Sequence, residues 1–188
     1  DVCADAGLAP ELYEVDPAAL QADPRAGLAD LGRVPRPNLV ATLKGSGGGR
    51  SLALSGHVDV VPIGERSAWS GDPFSGHVTD GRLYGRGALD MKGGLVAALH
   101  AIAALRASGV PLHGDLVFES VIEEEATGNG ALAARLRGPH VDAAIIPELS
   151  GEAMLVATPG VLWAELTTTG RSAYVGKAAA AVNAIDVM

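Results

Sequence analysis

The sequence predicts an α/β fold with a mixed, mostly parallel sheet and flanking helices. Strand-like and helical segments alternate through the middle of the chain, which is the order typical of a parallel sheet covered by helices. The chain has 188 residues, of which 48% are hydrophobic and 19% charged. That is enough apolar material for one domain with a core, or for one domain and part of a second.

The N-terminal part of the chain is predicted to lead into a hairpin. Asp1–Gly7 has the pattern of the end of a helix, with a glycine suited to the position after it. Pro10–Pro37 is rich in Pro, Ala and Asp, and we expect it to be irregular apart from one short helical turn. Asn38–Lys44 and Ser51–Val60 are β-like runs joined by a short glycine-rich connection, which predicts a β-hairpin.

The central part of the chain is predicted to complete the sheet and its helices. Residues 61–89 are punctuated by Gly and Pro, and so long a loop in a compact domain is usually functional. The apolar spacing over Leu95–Leu105 predicts a helix that ends near Gly109. The other predicted elements are a buried strand at Asp115–Ile122, a helix at Asn129–Arg137 and an apolar strand at Val141–Ile146.

The pattern changes near residue 160, which indicates the start of a second domain. We predict strands at Ala153–Ala157 and Val161–Thr169, separated by a turn at 158–160. A glycine-rich bend and an Ala-rich helical start at Lys177–Met188 follow. We expect this second domain to be incomplete.

Composition and charge exclude several classes of partner. Fourteen Lys and Arg against 22 Asp and Glu give a net charge of −8, which disfavours nucleic acid. The single cysteine, Cys3, excludes a disulfide framework and a multi-cysteine zinc site, and it fits a reducing compartment. No signal peptide is readable, and the apolar run Leu95–Leu105 is too short for a membrane span. We therefore expect a cytoplasmic protein without a membrane partner.

The first candidate site residues lie at the end of the second predicted strand. His57 and Asp59 alternate with valines, so they share one face of that strand, and Pro62 ends it. Sheets of the α/β class bind ligands at the carboxyl ends of their strands. A polar strand end without function explains these two residues equally well.

A second candidate is Asp90, which opens the long helix after the glycine-dense segment 81–94. An N-terminal cap would explain an aspartate there. A cap does not require so many glycines, however, and glycine in a first turn weakens a helix. We therefore expect the backbone to pass close to another group, which favours a functional site.

Acidic residues follow the next two predicted strands. Glu123–Glu125 comes directly after a mainly apolar strand, and Glu148 follows the strand Val141–Ile146. Adjacent ionised carboxylates at the mouth of a buried strand repel one another unless a cation compensates them. A solvated acidic loop is the alternative, which the neighbouring apolar residues disfavour.

One imidazole with several carboxylates fits a catalytic zinc better than a closed structural site. Two neighbouring metals could share one carboxylate and polarise a water between them. Because adjacent residues point in different directions, Glu125 can bind metal while Glu124 acts as a general base.

Two glycine-rich segments suggest phosphate binding; we reject the first and disfavour the second. Gly45–Ser51 lacks the Lys-Ser or Lys-Thr ending of a phosphate loop. Gly128–Ala133 fits the dinucleotide pattern, but the preceding Glu123–Glu125 would place negative charge where a pyrophosphate must lie.

Taken together, these motifs resemble the di-zinc amidohydrolase and metallopeptidase family. Members of that family include acetylornithine deacetylase, succinyl-diaminopimelate desuccinylase, aminoacylase and carboxypeptidase G. The runs that carry the resemblance, in family order, are Ser55–Pro62, Leu83–Gly93, Glu123–Glu125 and Pro147–Glu148. The similarity extends from about Asn38 to the end of the chain.

The resemblance implies a metal centre with two zinc ions, for which cobalt or manganese could substitute. His57, Asp90 and Glu148 would hold one zinc. Asp90 would bridge to the second zinc, which Glu125 also binds.

The resemblance also implies the catalytic roles and the substrate. Asp59 would orient His57, and Glu124 would take a proton from a metal-bridging water and return it to the leaving amine. The bond cleaved would be the amide of an N-acyl amino acid or small peptide. Residues 1–159 would form the catalytic domain without its C-terminal portion. Residues 160–188 would begin an α+β dimerisation or lid domain, and the full-length form is expected to be a homodimer.

This sequence departs from the family pattern in two ways. A late histidine ligand of the second zinc is missing, and Tyr174 stands where the family has a substrate-contacting histidine. The remaining histidines do not match the motif; they are His77, His100, His113 and His140. We therefore expect these 188 residues to bind one zinc better than two and to hydrolyse little. The alternative function is a truncated or degenerate family member that acts as a non-catalytic metal-binding or scaffold protein.

Overall fold

A computed structural model describes residues 2–27, 36–151, 153–160 and 164–188. The chain divides into two compact units, Asp1–Glu152 and Ala153–Met188. The first unit contains the main sheet and all six residues predicted for the metal centre and its catalytic groups. The assignment of 1–159 and 160–188 to two functional domains stays a prediction.

The first unit contains the following elements. The strands are β1 (Glu11–Glu14), β2 (Pro37–Leu43), β3 (Leu52–His57), β4 (His77–Thr79), β5 (Arg82–Tyr84), β6 (Leu116–Val121) and β7 (Ala143–Ile145). The helices are α1 (Val2–Asp5), α2 (Pro17–Gln21), α3 (Gly93–Ser108) and α4 (Asn129–Arg137). A 3-10 turn covers Arg66–Ala68, and a π-helical turn at Ala88–Lys92 leads into α3.

The main sheet has five strands in the order β1-β2-β6-β3-β7. β3 pairs in parallel with both β6 and β7. β2 pairs antiparallel with β1 and with β6, so it alone among the five runs in the opposite direction. This confirms the predicted α/β fold with a mixed, mostly parallel sheet.

The predicted hairpin of the second and third strands is wrong. β6 lies between β2 and β3 and pairs with both. The glycine-rich connection rounds the end of β6, where the Ser46 and Gly47 amides donate to the carbonyls of Leu112 and His113. Sequence adjacency favours a hairpin, but β6 has buried apolar residues on both faces and gains more burial in the middle of the sheet.

The core lies on both faces of this sheet. On one face, α1 and α3 pack against alternate residues of the central strands; Ala41, Leu54, Leu116, Phe118, Leu99 and Ile102 are buried there. On the other face, Val40, Ala53 and Val117 form a second buried group. α2 and α4 contribute a third cluster through Leu20 and Ala133, which pack with Ile122 beyond the end of β6.

The long helix is confirmed, and Gly109 ends it in a left-handed conformation with φ of 70°. Residues Ala88–Ser108 together are long and apolar enough to cross a membrane by length and composition alone, with a mean hydropathy of 1.4. The buried face of α3, including Leu95 and Ile102, packs on the sheet. This face of α3 is therefore part of the core.

Several predicted boundaries in the first unit need correction. Pro10–Pro37 is not irregular throughout, because it contains β1 and α2, and residues 28–35 lie outside the described chain. The strand predicted at Ser51–Val60 ends at His57, and so Asp59 lies beyond it. The predicted loop 61–89 contains the β4–β5 hairpin, which pairs antiparallel.

The second unit differs from its prediction. Residues 153–160 and 164–169 form no strand, while 161–163 are outside the described chain. The predicted helix at 177–188 is replaced by a 3-10 segment, Val175–Ala180, and a later turn. Most described side chains of this unit are exposed. Apolar segments without a facing layer lack the packing that stabilises short strands and helices.

Candidate metal centre

The candidate metal centre lies at the carboxyl ends of three parallel strands. His57 is the last residue of β3, Glu123–Glu125 forms the turn after β6, and Glu148 follows β7. Asp90 comes from the π-helical turn before α3. Parallel strands end at the same edge of a sheet, and this topology brings residues distant in sequence together.

His57 is at the centre of the cluster, with its side chain 1% exposed. Its Nε2 lies 3.0 Å from Asp90 Oδ1, 3.5 Å from Glu148 Oε1 and 3.7 Å from Glu124 Oε2. Three carboxylates therefore converge on the same ring nitrogen.

His57 and the surrounding acids form two groups whose potential ligand atoms are close enough to hold a metal ion. One group is His57, Glu124 and Glu148, and the other is His57, Asp90 and Glu125. Within each group the potential ligand atoms lie within 4.8 Å of one another. The structure thus brings the four predicted ligands and the predicted base into one cluster. Their assignment to one ion or the other stays a prediction.

Asp90 does not cap the long helix, which corrects that interpretation of the sequence. α3 begins at Gly93, and Asp90 has the non-helical angles φ −114° and ψ 99°. The nearby glycines have another cause: a Cβ on Gly94 would overlap the carbonyl oxygen of Pro147. The first turn of α3 thus packs directly against the backbone that carries Glu148, which is the close approach that the glycines indicated.

Asp59 connects the His57 segment with the acidic turn. Its backbone carbonyl lies 3.0 Å from His57 Nδ1, while its Oδ1 is 3.5 Å from the same nitrogen. The two carboxylate oxygens accept hydrogen bonds from the backbone amides of Glu124 (3.3 Å) and Glu125 (3.2 Å). Asp59 therefore contacts the imidazole chiefly through its carbonyl and the acidic turn through its carboxylate.

Glu123 has a different role from its two acidic neighbours. It is buried, and its φ of 61° closes the turn, where its carbonyl accepts the amides of Thr127 and Gly128. Its Oε1 pairs with Arg36 at 3.2 Å, and its Oε2 accepts from the Thr127 hydroxyl. One of the three adjacent glutamates is thus neutralised by an arginine, which left no signal in the sequence pattern.

The electrostatics of the cluster favour a cation. Among the residues that the structure describes, no lysine or arginine forms an ion pair with Asp90, Glu124, Glu125 or Glu148. Burial raises the pKa of Glu124, and the charges of Glu148, Glu125 and Asp59 add to this, against a lowering by His57.

The pKa values of Glu148 and His57 are also raised. Burial raises the pKa of Glu148, and the charge of Asp90 contributes to the rise. Burial alone would lower the pKa of His57, but its hydrogen bonds to Asp59 and Asp90 and the acid charges outweigh that effect. The raised pKa values of Glu124 and Glu148 show that these carboxylates hold their negative charge less readily than in water. A divalent cation would stabilise that charge.

The donor set fits a divalent metal ion. One imidazole nitrogen and four carboxylates form two groups in which the potential ligand atoms lie close together. Zinc accepts nitrogen and oxygen donors of these types. The other histidines contribute to neither group of potential ligands. For example, His100 Nδ1 bonds the Val96 carbonyl and His113 Nδ1 bonds the Ser46 hydroxyl.

The chain has clear relatives among characterised proteins. Residues 53–184 match the family model of peptidase family M20/M25/M40. A succinyl-diaminopimelate desuccinylase from Methylobacterium radiotolerans is 38% identical over 186 residues, which cover 93% of this chain and 44% of that protein. An N-formyl-4-amino-5-aminomethyl-2-methylpyrimidine deformylase from Halalkalibacterium halodurans is 45% identical over 116 residues, covering 61% of this chain and 27% of the relative.

Solved structures agree with this relationship. Human carnosine dipeptidase 1 is similar with a TM-score of 0.55 and 30% identity, over 78% of this chain and 30% of the human chain. An M20 family metallo-carboxypeptidase from Sulfolobus solfataricus shares the fold with a TM-score of 0.59 at 23% identity, covering 78% of this chain and 30% of its own. This chain spans less than half the length of these relatives. The family model covers well over half of the chain, so the chain belongs to peptidase family M20/M25/M40.

Proposed function

We propose that this chain carries the metal centre of a zinc-dependent amidohydrolase that cleaves the amide bond of an N-acyl amino acid or small peptide. The observation that carries the proposal is the convergence of four carboxylates on one buried imidazole without a lysine or arginine pairing with them in the described chain. The named activities of the relatives support an acyl amine or peptide as substrate, since they include a desuccinylase, a deformylase and a dipeptidase.

The residues proposed to hold zinc are His57, Asp90, Glu125 and Glu148, which all lie in the cluster. As in the family that the sequence resembles, Asp90 would be shared between two ions. When bound, zinc would act as a Lewis acid, which lowers the pKa of a water and stabilises charge on a carbonyl oxygen. His57 is fixed for this role because its ring is buried and its Nδ1 is held by the Asp59 carbonyl. A histidine held at one ring nitrogen presents the other in a defined direction.

Glu124 is proposed as the general base and acid. Its carboxylate lies in the cluster but is about half exposed, so a water and a substrate can reach it. Its pKa is raised by burial and by neighbouring carboxylates, which brings its proton affinity closer to that needed for transfer near neutral pH. One of its carboxylate oxygens would accept a proton from the attacking water and deliver that proton to the leaving amine.

A cavity beside the cluster has room for a small substrate group. Its volume is about 490 Å³, and its walls include Asp59 and Glu125 together with the apolar Val61, Pro62 and Ile122. Sites for small molecules commonly have this size and mainly apolar walls with a few polar groups.

The proposal extends to the domains, oligomeric state and localisation of the complete protein. Residues 1–159 would supply the catalytic domain and 160–188 the start of a dimerisation or lid domain. The complete protein would be a cytoplasmic homodimer. Tyr174 would take the place of the family's substrate-contacting histidine, with a hydroxyl that can donate a hydrogen bond.

The proposal is tested by pairing metal analysis with hydrolysis. We expect the zinc-loaded chain to hydrolyse at least one of three probes slowly: an N-succinyl amino acid, an N-formyl amine and a dipeptide. Glu124→Gln should lower that rate by about a hundredfold or more, because it removes the proton acceptor. Zinc content should stay that of the unmodified chain. Product is measured by chromatography and zinc by elemental analysis after dialysis.

The matched control is Glu65→Gln, which changes a glutamate outside the cluster and should leave both readouts unchanged. Zinc binding without hydrolysis of any probe would favour the non-catalytic metal-binding alternative. A chain that holds no zinc would contradict both functions. Full activity in Glu124→Gln would show that the base is wrongly assigned.

A further inference from the structure

Met91 is buried beside the metal centre but was not among the predicted site residues. It is 0% exposed and is one of the largest fully buried side chains among the residues that the structure describes. It follows Asp90 directly in the π-helical turn, and a thioether is not a usual zinc ligand.

The backbone amide of His57 depends on Met91 for a hydrogen bond. In a strand, successive amides point to opposite neighbours, and the amide of Val58 donates to the Val121 carbonyl of β6 at 2.9 Å. The His57 amide therefore points to the β7 side. There the pairing of β3 with β7 ends at Leu54, so no strand carbonyl is available. The His57 amide instead donates to Met91 Sδ at 3.2 Å.

The chain leaves space for this sulfur at Gly56. A Cβ at that position would lie 2.6 Å from Met91 Cε, 2.9 Å from Met91 Sδ and 3.0 Å from Leu95 Cδ2. Real Cβ contacts are longer than this, so any side chain there would displace the methionine. Gly56 thus permits the thioether to lie directly against the end of β3.

Two neighbouring residues of the π-helical turn both contact His57. Asp90 and Met91 both have non-helical backbone angles, and glycines flank the turn at Gly87 and Gly93. Asp90 Oδ1 contacts His57 Nε2 at 3.0 Å, while Met91 Sδ accepts from the His57 backbone. Two consecutive residues therefore attach the turn to the ring and to the backbone of the same histidine.

We infer that Met91 is a positioning residue: its sulfur fixes the end of β3 against the turn and so sets the separation of His57 and Asp90 for metal binding. This inference rests on the proposed metal site. A purely space-filling role would require only apolar volume, which Leu supplies. The inferred role requires the sulfur as an acceptor.

The test is Co²⁺ binding by Met91→Leu, followed through the visible absorption of the bound ion. Volume is nearly conserved, so we expect the chain to remain folded. The dissociation constant for Co²⁺ should rise about tenfold or more, as for changes in groups that orient metal ligands, and the absorption band should change shape. In the metal-free protein, the amide resonance of His57 should shift, which reports the lost hydrogen bond without any metal.

Ile102→Leu is the matched control. Like Met91, Ile102 is fully buried, but it lies on α3 and packs in the core away from the cluster. It should bind Co²⁺ as the unmodified chain does. If Met91→Leu does not fold, a second variant replaces the other two methionines by Met154→Leu and Met188→Leu. Norleucine incorporated into that chain then replaces only the sulfur of Met91, and we expect the same rise in the Co²⁺ dissociation constant. Unchanged Co²⁺ affinity and an unshifted His57 amide would overturn the role of Met91 alone. An unmodified chain without Co²⁺ affinity would overturn the metal site as well.

Discussion

At the scale of single residues, Asp59 links two segments that are distant in sequence. Its carbonyl faces His57 Nδ1, and its carboxylate accepts the amides of Glu124 and Glu125. The side chain of one residue thus sets the acidic turn, and its backbone sets the ring. A change at Asp59 should therefore disturb the metal ligands without removing any of them.

We predict that Asp59→Asn weakens zinc binding by roughly tenfold to a hundredfold. An amide offers one acceptor oxygen, and its NH₂ would face the second backbone amide, so only one of the two hydrogen bonds can be kept. Zinc affinity measured by competition with a chromophoric chelator checks this. Asp72→Asn, at an exposed turn before β4, is the control. Equal affinity in Asp59→Asn and the unmodified chain would contradict the prediction.

Asn38 shows how a single buried polar side chain holds the end of β6. It is 0% exposed, its Oδ1 accepts from the Ile122 amide at 3.0 Å, and its Nδ2 donates to the Gly130 carbonyl at 2.8 Å. The residue therefore ties β2 to the start of the acidic turn and to the first turn of α4.

We predict that Asn38→Ala lowers the free energy of unfolding by about 2–4 kcal/mol, because two buried backbone groups lose their partners. Urea unfolding followed by circular dichroism measures this. Thr42→Ala, at a half-buried position of the same strand, should change stability by less than about 1 kcal/mol. A loss at Asn38 no larger than that at Thr42 would contradict the assigned hydrogen bonds.

At the scale of secondary structure, the contact of α3 with the segment after β7 positions Glu148. The first turn of α3 comes so close to Pro147 that a methyl group on Gly94 would overlap its carbonyl oxygen. Helix propensity alone would favour alanine at Gly94 by roughly 1 kcal/mol. The glycine therefore serves the packing of the two elements and not the helix itself.

We predict that Gly94→Ala reduces zinc affinity by about tenfold, because Pro147 and the adjacent Glu148 must move away from the cluster. Isothermal titration with zinc measures the affinity, and circular dichroism checks that the helix is retained. Gly71→Ala is the matched control, since a Cβ there meets no atom within 4 Å. Tight zinc binding in Gly94→Ala would show that Glu148 tolerates this displacement.

At the scale of the whole molecule, the metal would connect four separate parts of the first unit. His57, Asp90, the acidic turn and Glu148 lie on different elements, and their negative charges repel one another without a cation. A ligand that binds only the folded state stabilises it according to its affinity. The metal centre should therefore contribute to folding stability as well as to chemistry.

We predict that zinc at about a hundred times its dissociation constant adds about 2.7 kcal/mol to the free energy of unfolding. For a chain of this size the melting temperature should rise by roughly 5–10 °C, and a chelator should reverse the rise. Differential scanning calorimetry with and without zinc measures it. His57→Ala should melt at a temperature that does not depend on zinc. A zinc-dependent rise of equal size in His57→Ala would place the stabilising ion elsewhere.

The fold class, the long helix, β6, α4 and the residues of the cluster were all predictable from the amino-acid sequence. These features depend on local patterns: the spacing of apolar residues, glycine after a helix, and polar groups placed where apolar strands end. The motif resemblance added the family, which the comparisons confirm.

The order of the strands and the contacts that support the cluster became visible in the folded chain alone. The apparent hairpin of β2 and β3 is divided by β6, because burial of both faces of a strand outweighs adjacency along the chain. Three supporting contacts join residues more than 30 positions apart in the sequence. They are the ion pair of Arg36 with Glu123, the hydrogen bond of Asn38 with Ile122 and the hydrogen bond of His57 with the Met91 sulfur. Such contacts arise because the strand order of the sheet brings distant segments together, and no local sequence pattern encodes them.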